Sequence, residues 1–329
     1  MGRLNITEKN TKALVTFQNV SKSFGATKAL IDCNVDFKKG EIHSLVGENG
    51  AGKSTLGKII LGAYKLDSGK TYVDGEEVSI NSPGQAVKIG LVGISQELSL
   101  LSSRTVVDNI AMGREITSGI FVSAKKTKEK VLSVMKHFNL FVNPDAIVGS
   151  LSVAEQQKVE ILRALNSNAR LIVFDEPTAR LASNETEQLH SLVKSLANNG
   201  TTIVYISHFL EEVLTISNRV TLLRNGKLIR TNLAKDETKK SLIEGMTGKE
   251  EGNLFPSIKL IDENSETVLK VENLTRKNEY KDISFEIKKG EIVGLAGLVG
   301  SGRSELAHTI FGDKKPDNGA ISFCGKTIT

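Results

Sequence analysis

Short apolar runs alternate with stretches of helical periodicity along much of the chain. Residues 55–61 predict a helix that ends near Gly62, directly after the first apolar run. Strands that alternate with helices in this way are typical of a mostly parallel sheet with helices packed on it. Four runs predict buried strands: 42–46, 90–95, 171–174 and 201–207.

A second helix is predicted after residue 183. Asn184, with Glu187 three residues later, has the spacing of an N-cap and its capping-box partner. Asn199-Gly200 is expected to end this helix. Its apolar positions recur at helical spacing: Leu189, Leu192, Val193 and Leu196.

The pattern changes in two other regions of the chain. Residues 96–151 are polar and helical in character, which predicts an inserted helical lobe that extends over about 97–165. Residues 250–266 are polar and contain Gly252 and Pro256, which is typical of a linker.

The sequence repeats itself at a displacement of 250 residues, because Lys39-Gly40-Glu41-Ile42 recurs as Lys289-Gly290-Glu291-Ile292. Upstream, Asn19-Val20 matches Asn273-Leu274 when four residues are dropped from the second copy. We therefore predict a tandem duplication, with a first domain over 14–249, a linker over 250–266 and the beginning of a second domain over 267–329. Glycines and a serine keep the same register: Gly47 and Gly297, Gly52 and Gly302, Ser54 and Ser304, Gly62 and Gly312, Gly69 and Gly319, Gly75 and Gly325.

Composition excludes several classes of protein. With 39% hydrophobic and 25% charged residues, the chain has the apolar content of a globular protein and not of a disordered one. No apolar run approaches the roughly 20 residues that cross a bilayer, and Met1–Thr16 does not resemble a signal segment. Two cysteines are too few to stabilise the fold through disulfides, and this is compatible with a reducing compartment.

The charge pattern argues against nucleic acid as a partner. The net charge of +5 is spread along the chain, and the sequence has 5% aromatic residues and no Trp. Basic residues are not interleaved with aromatic ones, as they are in many nucleic-acid-binding surfaces.

One glycine-rich segment carries a specific chemistry. It follows a predicted strand and precedes a predicted helix, which is the context that a phosphate-binding loop requires. Backbone N–H groups of such a loop surround phosphate oxygens, Lys53 reaches the β- and γ-phosphates, and the Ser54 hydroxyl ligates Mg²⁺. The segment fits the pattern G-x-x-x-x-G-K-[ST]: Gly47, Glu48, Asn49, Gly50, Ala51, Gly52, Lys53 and Ser54.

The apolar run 171–174 ends in two carboxylates, Asp175 and Glu176. Asp175 is placed to hold Mg²⁺, and Glu176 to polarise a water that attacks phosphorus. Taken alone, these carboxylates are also compatible with a solvated strand end; after a phosphate-binding loop they indicate phosphoryl transfer.

The order of motifs resembles the nucleotide-binding subunits of ABC transporters. In addition to the loop and the Asp-Glu strand, Gln96 resembles the Q-loop glutamine, which senses Mg²⁺ and the permease. Residues 179–182 resemble the D-loop, and His208 the switch histidine. The segment Leu151, Ser152, Val153, Ala154 and Glu155 resembles the signature LSGGQ.

The resemblance also implies a set of nucleotide contacts. Phe24 lies where the family has an aromatic residue that stacks on adenine, although Phe24 taken alone could equally be a core residue. The resemblance implies that Thr55 and Gln96 bind nucleotide together with the loop, that Ser54, Gln96 and Asp175 hold Mg²⁺, and that Lys53, Glu176 and His208 are catalytic.

The tandem copies and the form of the signature are similar to bacterial simple-sugar importers, a group that includes ribose, xylose, galactose and autoinducer-2 transporters. The match extends over about 14–329. In the second copy the loop reads Gly297, Leu298, Val299, Gly300, Ser301, Gly302, Arg303 and Ser304.

This resemblance implies a fold and a function. The fold is an α/β P-loop NTPase of the ABC ATPase type, with a mainly parallel core sheet, an antiparallel β subdomain and an inserted helical subdomain. The function is an ATPase subunit that uses Mg-ATP to power import of a sugar or sugar-like solute (pentose, hexose or autoinducer-2). Its partners are integral-membrane permease subunits and, indirectly, a solute-binding protein; its location is peripheral, at the cytoplasmic face of the cell inner membrane.

Two other functions remain open on the sequence. One is a hydrolysis-deficient nucleotide-binding fragment or regulatory module; the other is a cytosolic tandem ATPase that acts on ribosomes or DNA. A long charged linker and intact signatures in both halves would favour the latter, and neither is present.

Two departures from the family pattern bear on mechanism. Val153 and Ala154 replace the two glycines of the signature, and their side chains crowd the approach of a phosphate. Arg303 replaces the lysine of the second loop, with a bulkier planar head, and is followed two positions later by Glu305. Family architecture pairs the signature of one copy with the loop of the other, so both changes fall in one degenerate composite site.

The sequence shows no second signature after Arg303. The competent site, built on Lys53, Asp175, Glu176 and His208, would need that signature for completion. We therefore expect these 329 residues to bind Mg-ATP but to hydrolyse it poorly alone, and a nucleotide-dependent dimer of the fragment is possible.

Overall fold

The apolar runs of the sequence form the strands of a mixed sheet in the first of two structural units. In the computed structural model, the chain divides into units of residues 1–254 and 255–329. The structure describes residues 12–94, 99–118, 121–179, 181, 183–248, 265–297 and 300–328.

The first unit contains twelve strands and eight helices within its described residues. The strands are β1 (Ala13–Phe24), β2 (Thr27–Lys38), β3 (Ile42–Val46), β4 (Ser68–Val73), β5 (Glu76–Val78), β6 (Leu91–Ile94), β7 (Thr117–Ser118), β8 (Phe121–Val122), β9 (Leu171–Asp175), β10 (Thr202–Ile206), β11 (Arg219–Arg224) and β12 (Lys227–Leu233). The helices are α1 (Lys53–Ile60), α2 (Pro83–Lys88), α3 (Val106–Ala111), α4 (Ala124–His137), α5 (Val153–Asn166), α6 (Ser183–Asn198), α7 (Leu210–Ile216) and α8 (Lys239–Thr247).

The core sheet has the strand order β12-β11-β3-β10-β9-β6, and all neighbours are parallel except β11 and β12. Both of its faces are buried, which explains why its central strands read as continuous apolar runs. On β9, Ile172 and Phe174 face a cluster with α5 and α6, whereas Leu171 and Val173 face a cluster with α1. The carboxyl ends of β3, β9 and β10 therefore meet at one edge, where the site lies.

A second sheet of the first unit is antiparallel, with the order β2-β1-β4-β5. The predicted fold class is confirmed: the unit is α/β, with a mainly parallel core sheet, an antiparallel sheet and helices α3 to α5 inserted between β6 and β9. The inserted region also contains the small hairpin β7–β8, which the sequence did not indicate.

Most predicted elements are confirmed with small changes at their ends. The helix predicted over 55–61 begins at Lys53, because the loop glycine at 52 already adopts the N-cap position. The prediction that Asn184 is an N-cap is wrong, since α6 begins at Ser183 and places Asn184 in its first turn. A run of polar residues with good capping character leaves the exact start of such a helix undetermined.

The second unit repeats the antiparallel sheet of the first. Its strands β13 (Thr267–Arg276), β14 (Tyr280–Lys288), β15 (Asn318–Phe323) and β16 (Lys326–Thr327) have the order β14-β13-β15-β16, and α9 (Arg303–Phe311) follows β14. Even local contacts recur: the N–H of Asn19 donates to Asn34 Oδ1 (2.9 Å), and the N–H of Asn273 to Ser284 Oγ (2.8 Å).

Strand β3 has a counterpart in the sequence of the second unit, but no structural counterpart among its described residues. Residues 291–297 match β3 in sequence but form no strand, and Ile292 is 96% exposed where Ile42 is 3% exposed. The reason is that β3 is paired on both sides by parallel strands, and the described residues of the second unit include no parallel strand. Cys33 is buried and Cys324 exposed, and both are free.

In the parts of the chain that the structure describes, no helix combines the length and the apolar character needed to span a membrane.

Candidate nucleotide-binding and active site

The loop 47–52 joins β3 to α1, and two of its glycines, Gly47 and Gly52, are required by close backbone neighbours. A Cβ at Gly47 would lie 2.4 Å from the carbonyl oxygen of Leu223. Gly52 adopts a left-handed conformation (φ 105°), and a Cβ there would lie 2.5 Å from the carbonyl oxygen of Ala29. The loop is therefore held between β2 and β11 in a shape that side chains would prevent.

The N-terminus of α1 is open to a ligand. Its N-cap residue is Gly52, which has no side chain to accept from the first N–H groups of the helix, those of Lys53, Ser54 and Thr55. Such N–H groups and the helix dipole together favour an anion. Within the loop, the N–H of Ala51 donates to the Glu48 carbonyl (3.1 Å), which tightens the turn that contains Asn49 and Gly50.

Lys53 lies within this loop and is 6% exposed. Its ammonium group donates to the carbonyl oxygens of Gly47 (2.8 Å) and Glu48 (3.0 Å). Burial lowers the pKa of Lys53, and the nearby carboxylates of Glu176 and Asp175 oppose that shift. A buried cation at the loop, close to two acidic groups, is suited to neutralising phosphate charge.

The Ser54 hydroxyl donates to Asp175 Oδ1 at 3.2 Å. Burial raises the pKa of Asp175, the hydrogen bond from Ser54 lowers it, and the like charge of Glu176 raises it further. A hydroxyl and a carboxylate are the oxygen donors that Mg²⁺ prefers, and a cation would compensate the buried carboxylate, so these residues fit Mg²⁺.

Glu176 has a left-handed backbone (φ 49°), which is uncommon for a residue with a side chain. Its N–H donates to the Ile206 carbonyl (2.9 Å), and its Oε1 lies 3.2 Å from His208 Nδ1. The parallel pairing of β9 and β10 sets Asp175 beside Ile206, and so brings Glu176 next to His208. The structure thus places five predicted site residues at one edge of the sheet: Lys53, Ser54, Asp175, Glu176 and His208.

Three contacts around this edge were not found from the sequence. On α5, Gln157 Nε2 donates to the Pro177 carbonyl at 2.9 Å, and Thr178 Oγ1 donates to Glu212 Oε2 at 2.8 Å. The Tyr205 hydroxyl donates to the same Glu212 oxygen at 3.1 Å. The first two contacts fix the two residues that follow Glu176, and no local spacing signals them because their partners lie 20 and 34 positions away in the chain.

Glu212 and Tyr205 have shifted acidities that agree with this network. Burial opposes ionisation of Glu212, but the nearby His190 (3.6 Å) and hydrogen bonds from Thr178 and Tyr205 hold the pKa of its carboxyl below the usual range. Burial raises the pKa of Tyr205, and the Glu212 charge raises it further. The tyrosine hydroxyl is therefore a permanent donor to an ionised carboxylate.

The segment 151–155 lies at the start of α5. Ser152 is the N-cap: its Oγ accepts from the Glu155 N–H (3.3 Å), and Glu155 Oε2 accepts from the Ser152 N–H (3.1 Å). Val153 is 47% exposed, Ala154 is partly buried, and Leu151 packs against the core of the helical lobe.

The predicted Q-loop residue Gln96 lies outside the described residues, as do Arg180 and Ala182 of the predicted D-loop. Ser99, where the described chain resumes, is fixed to α5, because its N–H donates to Glu160 Oε1 (2.8 Å) and Arg163 donates to its carbonyl oxygen (2.9 Å).

Phe24, at the end of β1, is 43% exposed and packs against a second aromatic ring. Its ring centroid lies 4.9 Å from that of Tyr64, with 66° between the planes. This pair of rings was not predicted from the sequence.

The second loop differs from the first in its surroundings. Gly300 and Gly302 are left-handed (φ 81° and 85°), and a Cβ at Gly302 would lie 2.5 Å from the Glu279 carbonyl oxygen, so the turn before α9 repeats the turn before α1. Arg303 and Ser304, however, are exposed, whereas Lys53 is buried. Gly297 also lies in exposed chain.

Comparison with known proteins identifies the family. The family model described as ABC transporter matches residues 30–179 and 280–329, more than half of the chain. Over 96% of its length the chain is 41% identical to a ribose import ATP-binding protein of Rubrobacter xylanophilus. Over 97% it is 41% identical to a galactose/methyl galactoside import ATP-binding protein of Fusobacterium nucleatum. It spans 63% and 64% of the length of these two relatives.

Comparison with solved structures indicates the same family. The ADP conformation of an ATP-binding cassette of an ABC transporter is similar with a TM-score of 0.65 and 28% identity, covering 73% of this chain and 100% of that one. A dimeric cassette in a post-hydrolysis state, bound to ADP and Pi, is similar with a TM-score of 0.57 and 28% identity, covering 67% of this chain and 98% of that one. The protein is therefore a member of the ABC transporter family.

Proposed function

We propose that the chain is the ATP-binding and ATP-hydrolysing part of a subunit that powers import of a sugar or sugar-like solute. The observation that supports this most directly is the joint placement of Lys53, Ser54, Asp175, Glu176 and His208 around the open N-terminus of α1. A cationic cradle next to two carboxylates and a histidine is suited to binding a nucleoside triphosphate and orienting water towards its terminal phosphate.

Each residue has a separate task in this reaction. The loop N–H groups and Lys53 hold the β- and γ-phosphates, and Phe24 stacks on adenine. Ser54 and Asp175, with Gln96, would hold Mg²⁺, which when bound neutralises phosphate charge. Glu176 accepts a hydrogen bond from the attacking water, and the contact with His208 (3.2 Å) orients the Glu176 carboxylate.

The direction of transport and the solute class rest on the relatives, whose names describe import of ribose or galactose. We infer a pentose, a hexose or autoinducer-2 as solute, with permease subunits and a solute-binding protein as partners at the cytoplasmic face of the inner membrane.

A cavity of about 600 Å³ between the core and the helical lobe, lined among others by Leu91, Met112 and Arg114, is suited to receive a permease segment.

Hydrolysis would require a second signature facing the loop of the first unit. The chain carries one signature segment, 151–155, in which Val153 and Ala154 replace glycines. The full subunit would then have one competent site on Lys53 and one degenerate site, in which Arg303 replaces the lysine. In the chain itself, a nucleotide-dependent dimer could supply the facing signature; the dimeric relative bound to ADP and Pi supports this arrangement.

The proposal is tested by phosphate release from Mg-ATP at increasing chain concentration, with Glu176→Gln as the matched variant. We expect binding in both proteins, slow release that rises more than linearly with concentration in the wild type, and no release in the variant. Fast release at a constant rate per molecule, or release that survives Glu176→Gln, would contradict the proposal.

A further inference from the structure

The edge of the first unit next to its loop carries a pair of aromatic rings with no counterpart in the second unit. Phe24 and Tyr64 pack edge to face, with centroids 4.9 Å apart. Each ring also has a lysine over it: Lys22 Nζ lies 5.4 Å from the Phe24 centroid, and Lys58 Nζ lies 5.4 Å from that of Tyr64. Edge-to-face packing holds two rings in a defined mutual orientation.

The segments that carry the two rings are also tied together by Asp67. Its Oδ1 accepts from Lys22 Nζ (2.7 Å), and its Oδ2 accepts from the Ser23 N–H (2.7 Å). The residue before Phe24 is thus bonded to the loop that contains Tyr64. Phe24 is 43% exposed, so part of its ring stays accessible to a ligand beside its contacts with Tyr64 and Lys22.

The second unit retains the hydrogen bond made by this aspartate, but it has other residues in place of the two aromatic rings. Asp317, the counterpart of Asp67 at the 250-residue displacement, accepts from the Lys277 N–H at 2.6 Å. The counterpart of Tyr64 is Lys314, which pairs with Glu279 at 3.3 Å, and Glu279 also pairs with Arg276 at 2.8 Å. In the register of the first strand, Asn278 stands in place of Phe24.

We infer that Tyr64 is a positioning residue for the base of the nucleotide, because it holds the Phe24 ring, and that the described residues of the second unit have no equivalent pair of rings at these two positions. This inference rests on the proposed nucleotide site. It separates the two loops by function: the first recognises base and phosphates, while the second has an ion pair in place of stacking rings. An ion pair offers no π-face on which a base can stack.

The test compares a ligand that has a base with one that has none. Affinities of the chain for Mg-ATP and for Mg-tripolyphosphate are measured for wild type, Tyr64→Phe, Tyr64→Ala and Tyr64→Lys, and for Lys314→Ala as matched control. We expect Tyr64→Ala and Tyr64→Lys to weaken ATP binding several-fold, up to about tenfold, with tripolyphosphate affinity unchanged. Tyr64→Phe keeps the ring and should bind ATP as the wild type does, and Lys314→Ala should change neither affinity.

Three results would overturn the inference: ATP affinity that survives Tyr64→Ala, an equal loss for both ligands, which indicates a purely structural role, or a Tyr64→Phe variant as weak as Tyr64→Ala. Failure of the nucleotide site itself gives a different result, since wild-type chain would then bind neither ATP nor tripolyphosphate. That outcome would remove the proposed function together with this inference.

Discussion

The hydroxyl of Ser54 donates a hydrogen bond to Asp175 at 3.2 Å, although 121 residues separate them in the sequence. The contact joins the first turn of α1 to the end of β9, and it exists because α1 packs on β9 and β10 at the edge where the parallel strands end. The pair supplies two oxygen atoms of different charge at the open end of a helix, which is the basis of the proposed Mg-ATP site.

Substitution of Asp175 separates stability from function. Because burial raises the pKa of Asp175, its ionised form is disfavoured in the folded chain, and Asp175→Asn should raise the thermal midpoint of unfolding without ligand. The same variant should lose the Mg²⁺-dependent part of ATP affinity, which calorimetry measures with and without EDTA. Ser54→Ala is the comparison: it removes one ligand but leaves the buried charge, so it should not raise the midpoint. Unchanged Mg²⁺ dependence in Asp175→Asn would argue against its role.

Two glycines of the loop 47–52 should differ in the effect of substitution by alanine. In Gly52→Ala the new Cβ would lie 2.5 Å from the Ala29 carbonyl oxygen, so the loop must shift, and we expect loss of nucleotide binding with destabilisation of several kcal/mol. Gly50 also has positive φ (81°), but a Cβ there meets no atom within 4 Å. Gly50→Ala should therefore show backbone strain alone, on the order of 1 kcal/mol. Urea unfolding and ATP titration measure both effects; equal loss in both variants would contradict the steric explanation.

Glu212 should contribute more to stability than its neighbour Glu211. Glu212 accepts from Thr178 and Tyr205, and Tyr205 is fully buried, so Glu212→Ala leaves the Tyr205 hydroxyl only its long contact with His190 Nε2 (3.4 Å) and should lower the free energy of unfolding by about 1–3 kcal/mol. The Glu211 side chain is 79% exposed and pairs with Lys239, so Glu211→Ala should change the free energy of unfolding much less than Glu212→Ala does. Tyr205→Phe combined with Glu212→Ala should be less than additive. Additive effects would show that the two residues do not interact.

His43 should make the fold sensitive to mild acid. It is fully buried between Glu41 (3.1 Å) and Thr221 (2.6 Å), with Arg219 and Asp36 in the same network, and burial lowers its pKa. The unfolded chain therefore takes up a proton at a higher pH than the folded chain, near 6.5. Protonation of His43 in the unfolded chain should therefore not reduce the free energy of unfolding above this pH. Below it, the free energy of unfolding should fall by up to about 1.4 kcal/mol per pH unit.

Urea unfolding from pH 7.5 to 5 measures this slope. His43→Gln should reduce this slope by the contribution of one bound proton. An identical slope in His43→Gln would show that other groups are responsible.

The sequence supported much of this account because the loop and the Asp-Glu strand are local patterns. Lys53 and Ser54 stand at fixed spacing after Gly47, and Asp175 and Glu176 at the end of one apolar run, so strand, turn and carboxylate could be placed without knowing which strands are neighbours. The contacts of Gln157, Glu212 and Tyr64 could not be predicted. Each depends on the packing of elements that are distant in sequence, and such packing has no fixed spacing.

The second unit shows the complementary case. Residues 291–297 match β3 at the 250-residue displacement, but they form no strand, and the described residues of the second unit include no parallel strand with which they could pair. Apolar periodicity thus indicates what a segment can form, and tertiary partners decide whether it forms.

The central claim is that the first loop alone binds Mg-ATP in this chain. Calorimetric titration of the 329 residues with Mg-ATP, for wild type, Lys53→Ala and Arg303→Ala, tests it most directly. The account predicts a single site in the wild type, an affinity reduced at least tenfold in Lys53→Ala, and an unchanged isotherm in Arg303→Ala. Two sites of similar affinity, or an isotherm that changes with Arg303 and not with Lys53, would contradict it.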